Sequence, residues 1–325
     1  MVQAPAAAPS HSASSADPTP LYSNTMQALL DALAGAHLSS EVQRVFHGRG
    51  GAYPGLEPWV LDHYAPVWVS TSFRPALDAE LAALHAALLA RDPALHWVHQ
   101  TRHEGRSDTR LMAGTVPEAH VVTEAGCRFR VHVQRGQNHG LFLDMAEGRR
   151  WVRQQAAAQP GLKVLNLFAY TCAFSVVALR AGAAQVVNLD MSAGALAQGR
   201  DNHRLNGVEA GASFLAHDLF SSWAKLQRGG PYGLVIVDPP SHQKGSFVAT
   251  KDYARVLRRL PALLAPGGHA LLCLNAPELG PGFLREGMAA EAPGLVFVQR
   301  LPNPTAFVDA WPDRALKVLV YRAPG

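Results

Sequence analysis

From Met145 onward, short continuous apolar runs alternate with segments of helical periodicity, and this alternation restricts the fold more than any other feature of the chain. The runs "KVLNLF", "QVVNLD", "YGLVIVDPP" and "HALLCLN" carry Val, Leu and Ile at successive positions. Strands of that kind are covered on both faces, as in a parallel sheet with helices on each side. Between them, "AEGRRWVRQQAAA", Thr171 to Ala181, Ser192 to Leu205 and Lys251 to Leu264 read as helices. Ser192 supplies an N-cap, while Asn206-Gly207 and "APGG" supply stops. "ASFLAHD" leads into another helix, a helix is expected near Phe283 to Ala290, and "LVFVQRL" and "ALKVLVYR" are terminal strands. The expected class is α/β, doubly wound.

Upstream the pattern is different. Leu21 to Gln137 reads as a small α+β unit, with helices at "MQALLDALAGA", capped by Thr25, and at Asp78 to Leu89. "PVWVSTSF", "ALHWVHQ", "AHVVTEAG" and "CRFRVHVQ" read as its strands, and His47 to Trp59 as a turn-rich segment. Residues 1–20, "MVQAPAAAPSHSASSADPTP", lack Lys, Arg and any leucine-rich core, so they are not a secretory signal and read as a disordered tail. The expected division is 1–20, 21–137 and 138–325. With 48% apolar residues a large core is available. No apolar run reaches the length of a membrane span. Cys127, Cys172 and Cys273 are far apart and form no C-x-x-C, so a reducing cytoplasm is the expected compartment. His96, His99 and His103 lie on a strand and loop without a partner carboxylate set, so they are read as structural and no metal is expected. The net charge of +4, its positive part mostly Arg, is compatible with a polyanionic partner, but an Arg- and Ala-rich composition reads first as genome base composition.

In open α/β sheets the ligand lies beyond the carboxyl ends of the strands. Phe168, Asp190, Asp218 and Asp238 occupy those ends. Asp190 lies 24 residues after Asn166, where a carboxylate accepts from both hydroxyls of a ribose. That fits a nicotinamide dinucleotide as well as an adenosyl cofactor. The turn after the first strand, "NLFAYTCAFS", separates the two: it has no G-x-G-x-x-G to admit a pyrophosphate, and Tyr170, Thr171 and Cys172 fill the space. S-adenosylmethionine has no phosphate, and aromatic faces and carboxylates attract its sulfonium. Asp218 in "AHDLF" fits either the adenine amino group or a helix N-cap, and the two roles are compatible.

Together, "GLFLD", "VLNLFAYTCAFSVVALRAGA", "VVNLDMSAGALAQGRDNHRLNG" and "VIVDPPSH" resemble class I methyltransferases of large-subunit ribosomal RNA, whose members modify carbon 5 of cytosine or nitrogen 7 of guanine. The likeness runs from about Phe46 to the C-terminus, because "HGRGGAYPGLEPWVLDHY" is similar to the small domain that precedes the catalytic one. The resemblance implies a Rossmann-like methyltransferase sheet preceded by a small α+β domain, and S-adenosyl-L-methionine as cofactor. It places Phe142, Asp144, Asn166, Phe168, Tyr170, Thr171, Asp190, Met191, Asp218, Leu219 and Asp238 at the cofactor, and Asp238, Pro239, Pro240, His242 and Asn275 at the acceptor. The partner it implies is RNA. Four departures stand out. His242 replaces an aromatic, Ala146 stands where the family tends to have Arg, Cys172 replaces a glycine, and the N-terminal RNA-binding module of the cytosine-modifying members is replaced by the tail.

Methylation at carbon 5 of cytosine needs a cysteine thiolate to add to the ring first. Aligned on Gly267-Gly268, the position of that cysteine falls on Asn275, and guanine-type members are similar in having Asn nearby. Cys273 is two residues away, on the same face of a strand, and reads either as a substitute nucleophile or as a small buried hydrophobe. The expectation is nitrogen methylation. His242 reads as a general base or a rim residue, and Lys244 and Lys251 as phosphate contacts or solvated lysines. Two rivals share the fold: a methyltransferase of proteins or small molecules, and a non-catalytic adenosyl-cofactor or RNA-binding protein.

Overall fold

The computed structural model describes residues 26–240, the backbone of 242–243, and residues 247–325. The tail at 1–20 and the Thr25 cap lie outside these residues; the first helix, α1 (Gln27–Gly35), starts after Met26. The small sheet has β1 (Gln43–His47), β2 (Trp59–Tyr64), β3 (Val67–Ser72), β4 (His96–His103) and β5 (Arg106–Ala113) in spatial order 1-2-3-4-5. Only β3 and β4 pair in parallel, and α2 (Asp78–Arg91) makes the crossover between them. One face of this sheet packs Trp59, Trp68 and Trp97 against Leu29 and Leu33 of α1 and Leu84 and Leu88 of α2. The other face, with Val67, Val69 and Val98, shares a core with the hairpin β6 (Val121–Glu124) and β7 (Cys127–Arg130) and with Val176 and Val177 beyond it.

The large sheet follows α3 (Ala146–Ala158). Its elements are β8 (Lys163–Leu167), α4 (Ala173–Arg180), β9 (Gln185–Asp190), α5 (Ala193–Asn206), β10 (Ala212–Ala216), α6 (Trp223–Gly229) and β11 (Tyr232–Val237). A two-residue ribbon of β12 (His242–Gln243) and β13 (Phe247–Val248), then α7 (Ala249–Leu257), α8 (Leu260–Leu263), β14 (Leu264–Leu274), α9 (Gly282–Glu291), β15 (Val296–Leu301) and β16 (Lys317–Arg322) complete it. The strand order is 10-9-8-11-14-16-15, with β16 antiparallel to both neighbours. The α/β class read from the sequence is the class observed. Along β11 and β14 successive side chains enter opposite cores: Leu234, Ile236, Leu271 and Cys273 on one side, Val235, Val237, Leu272 and Leu274 on the other. The order reverses between β8 and β11, so a crevice opens at their carboxyl ends.

Two helix boundaries differ from the sequence reading. The helix expected from Lys251 to Leu264 is two, α7 and α8. Pro261 has no N–H to donate and its ring would meet the carbonyl four residues back, so the helix stops at Leu257 and restarts with the proline in its first turn. "APGG" lies within β14, in an irregularity between the Tyr232–Leu264 and Leu234–His269 pairs. The helix expected from Thr171 starts at Ala173, because Cys172 is left-handed (φ 62°).

Candidate active site

The crevice holds a cavity of about 690 Å³. Its aromatic wall is built by the loop after β8. Phe168, Tyr170 and Cys172 all have positive φ, at 57°, 47° and 62°. Each such non-glycine residue costs roughly 1 kcal/mol or more, and the surrounding structure must hold it. Three bonds do so: Ala169 N donates to Leu189 O (3.0 Å), Tyr170 N to Asp190 Oδ2 (2.8 Å) and Cys172 N to Ala169 O (2.7 Å). The Thr171 hydroxyl donates to Gly140 O (2.7 Å) and so ties this loop to the "GLFLD" segment, which bends into a 3-10 turn at Leu143–Met145. Gly140 has φ +101°, and a Cβ there would lie 2.9 Å from Arg130 O, so only glycine fits. The result brings Phe142 within 5.3 Å of Tyr170, ring centre to ring centre.

Of the residues expected at the site, Phe142, Asp144, Phe168, Tyr170, Thr171, Asp190 and Met191 line this cavity. Asp218, Leu219, Asp238, Pro239, Pro240 and Asn275 line it too. Phe142 and Met191 are 42% and 56% exposed, so apolar surface is open on its walls. Asp190 is held by two backbone donors, Tyr170 N and Ser192 N, both at 2.8 Å. Asp218 accepts from Ser221 N (2.9 Å) in the turn before α6 and faces the cavity; it does not cap that helix, which starts at Trp223 with Ser222 in the N-cap position. Asn166 does not reach the cavity. Its amide donates to Asn188 Oδ1 (2.9 Å) in the sheet interior, because the residue before the last of a strand points into the layer and not off its end. The side chain of His242 lies outside the described residues, as does Lys244; Lys251 is an exposed residue of α7.

Burial, and then the charge of Asp144, lifts the Asp238 carboxyl to about 7, against the pull of Arg149. Burial also raises Asp144, opposed by Arg44 and Arg149. Arg149 is a lining residue that the sequence reading missed. It is buried, donates to both oxygens of Glu124 (2.5 and 2.7 Å) and to Phe142 O (2.9 Å). The signal was helical spacing: Ala146, where an Arg was expected, lies one turn before it on α3. Among the lining residues there are thus four aspartates, Asp144, Asp190, Asp218 and Asp238, and one cation, already paired with Glu124. Among the described lining residues a pyrophosphate finds no unpaired cation, whereas a cationic ligand finds several carboxylates.

Cys273 is 1% exposed and lines neither this cavity nor its neighbour. Burial, with Asp238 beside it, pushes its thiol well above the usual range. Its carbonyl accepts from the buried Tyr253 hydroxyl. The histidines expected to be structural have local partners: His99 lies between Ser70 (2.8 Å) and Ser72 (3.3 Å), and His96 Nδ1 accepts from Thr115 N (2.9 Å). Among the described residues no group of three or more His, Cys, Asp or Glu could hold a metal ion. No helix among them is long and apolar enough to cross a membrane.

Comparison with known proteins gives the family and the fold. The chain is 33% identical over 240 residues to a ribosomal RNA large subunit methyltransferase of Deinococcus radiodurans, covering 69% of this chain and 57% of the relative. It is 35% identical over 253 residues to ribosomal RNA large subunit methyltransferase I of Aeromonas hydrophila, covering 73% of this chain and 62% of that one. The chain therefore spans less than two thirds of the length of these curated relatives. In fold it is similar to a solved structure described as an S-adenosylmethionine-dependent methyltransferase from Streptococcus mutans, with a TM-score of 0.80 at 21% identity, over 95% of this chain and 83% of that one. A second such structure, with TM-score 0.78 at 22% identity over 93% and 80% of the two chains, is a complex with S-adenosylhomocysteine. The family model for S-adenosylmethionine-dependent methyltransferases matches residues 43–322, and the chain belongs to that family.

Proposed function

We propose that this chain methylates a base nitrogen of RNA, ribosomal RNA being the substrate class suggested by the names of its relatives, and that it does so in the cytoplasm. The residues from 138 onward form the catalytic unit in this reading, and the small sheet, β1 to β5, walls its acceptor side. The observation that carries the reading is the charge of the cavity, four aspartates against one paired arginine, which suits a sulfonium and not a dinucleotide. The cofactor supplies an electrophilic methyl group on a positively charged sulfur.

The chain's own residues then divide the work. Asp190 accepts from the ribose hydroxyls and Asp218 from the adenine amino group. Phe168, Tyr170, Met191 and Leu219 cover the apolar faces. Asp144 and Asp238 complement the sulfonium, and Phe142 closes the methionine end. Pro239 and Pro240 fix the backbone beyond Asp238, since proline locks φ and removes a donor, and with Asn275 they orient the base for in-line attack. Holding the two reactants in line supplies up to roughly 10 kcal/mol of the barrier. Nitrogen is favoured because Asn275 faces the cavity, while the nearby thiol of Cys273 is buried and held protonated. Replacing Cys273 with Ala tests this: turnover should persist, and loss of turnover with intact cofactor binding would show that a thiol adduct is needed.

A further inference from the structure

A second cavity, of about 390 Å³, lies between the small sheet and the large one. Asn138, Leu141, Phe142, Asp144, Asn275 and Leu316 line it and the cofactor cavity alike, so the two spaces share a wall where an acceptor would meet the methyl group. Their electrostatics are opposite. The second cavity is lined by Arg44, Arg49, Arg102 and Arg314. Of these, Arg44 is paired with Asp62 through bonds of 2.6 and 3.1 Å. Arg102 donates to the side chain of Gln100 and the carbonyl of Gln137, both uncharged. Neither Arg49 nor Arg102 has a carboxylate partner among the described residues. The remaining carboxylate on this side, Asp309, accepts from the backbone N of Trp311 (2.7 Å).

The cations are mounted on aromatic rings. Arg49 stands 3.8 Å over Phe73 and Arg102 5.8 Å over the same ring, while Arg44 stands 4.4 Å over Phe307. Burial, then Arg44 and Arg49, drive the neighbouring His47 down to about 3, so it is neutral, and its Nδ1 accepts from Arg44 Nη1 (2.9 Å). Burial and the charge of Arg44 also make the protonated form of Arg49 less favourable, a cost that an anion in the cavity would relieve. A guanidinium fork matches a phosphate oxygen pair, and an aromatic face accepts an unstacked base.

We propose that this cavity seats the nucleotide to be methylated, with its backbone phosphate against Arg49 and Arg102 and its base passing the shared wall to Asn275. The proposal rests on the reading of RNA as substrate and adds the subsite that selects it. A base reached in this way must leave its stack, so single-stranded or looped RNA is the form that fits.

The test uses the full chain, short single-stranded RNA of mixed sequence, and the variants Arg49→Gln, Arg102→Gln and both together. Arg228→Gln, an exposed residue of α6, is the control. RNA binding is followed by fluorescence anisotropy over a salt series, and calorimetry with S-adenosylhomocysteine reports on the intact fold. Each cavity variant should weaken RNA binding by about 3–10-fold and reduce the log–log salt slope by roughly one, with S-adenosylhomocysteine affinity unchanged. A double variant that equals Arg228→Gln in affinity and slope, beside a parent that binds and labels RNA, overturns this inference alone. A parent that neither binds nor labels RNA overturns the substrate reading and this inference with it.

Discussion

Asp238 and Asp144 face one cavity as a like-charged pair: burial first, and then the Asp144 charge, lifts Asp238 to about 7. A protonated Asp238 does not attract a sulfonium, and an ionised one does. S-adenosylmethionine should therefore bind more tightly as pH rises through about 7, by up to roughly tenfold per pH unit. S-adenosylhomocysteine carries no charge at sulfur and should change much less. Calorimetry in buffers of different ionisation enthalpy should show proton release only for the sulfonium ligand, and Asp238→Asn should remove the difference. Equal pH curves for the two ligands would contradict it. The sign for the free protein is opposite. A carboxyl raised in the folded state contributes stability that is fully present below about 4 and is lost as pH rises through about 7. Asp238→Asn should flatten that decline in thermal melting.

Arg149 is buried with Glu124 as its carboxylate partner. Glu124→Gln should cost about 3–5 kcal/mol in urea unfolding, because it strands a buried guanidinium. The double variant Glu124→Gln, Arg149→Met should recover a large part of that loss. An additive double variant would show that the pair is not coupled.

Cys172 and Gly199 depend on each other. A Cβ on Gly199 would lie 2.5 Å from Cys172 Sγ. Gly199→Ala alone should destabilise by about 1–3 kcal/mol through overpacking. In a Cys172→Gly background, which also relieves the left-handed backbone, the same change should cost well under half as much. A double-mutant cycle with no interaction energy would refute this relationship.

Asn166 belongs to a buried chain of hydrogen bonds. His203 Nδ1 faces Gly199 O (2.7 Å) and so donates, which leaves Nε2 to accept from Ser175 (2.8 Å). Ser175 in turn accepts from Asn188 Nδ2 (3.0 Å), and Asn188 Oδ1 accepts from Asn166 (2.9 Å). Asn166→Ala should lower stability by about 1–3 kcal/mol and leave S-adenosylhomocysteine affinity unchanged. A weakened affinity at unchanged stability would return Asn166 to the cofactor.

The large sheet was legible because strands covered on both faces are mostly apolar, and the Val, Leu and Ile runs of β8, β9, β11 and β14 announce that directly; Asn166 and Asn188 are buried there as a hydrogen-bonded pair. The aspartates at the strand ends were legible for the same reason, since a charge that ends an apolar run marks the edge of the layer. Local sequence hid two kinds of feature. The left-handed backbone at Phe168 and Tyr170 has no glycine to signal it, and at Cys172 the only sign was a residue standing where the family has glycine; bonds to Leu189 O, Asp190 and Ala169 O hold the loop. Arg149 and the Arg44, Arg49, Arg102 cavity depend on contacts between segments distant in sequence. Strands β1, β2 and β5 were also unread, β5 because its residues are mostly exposed and polar.

The most direct measurement is transfer of tritiated methyl from S-adenosylmethionine to total RNA from cells lacking this protein, followed by digestion to nucleosides and chromatography. Label in one nitrogen-methylated nucleoside, absent with Asp238→Asn, is the predicted result. Label in protein or small molecules instead of RNA, or in 5-methylcytidine, would contradict it.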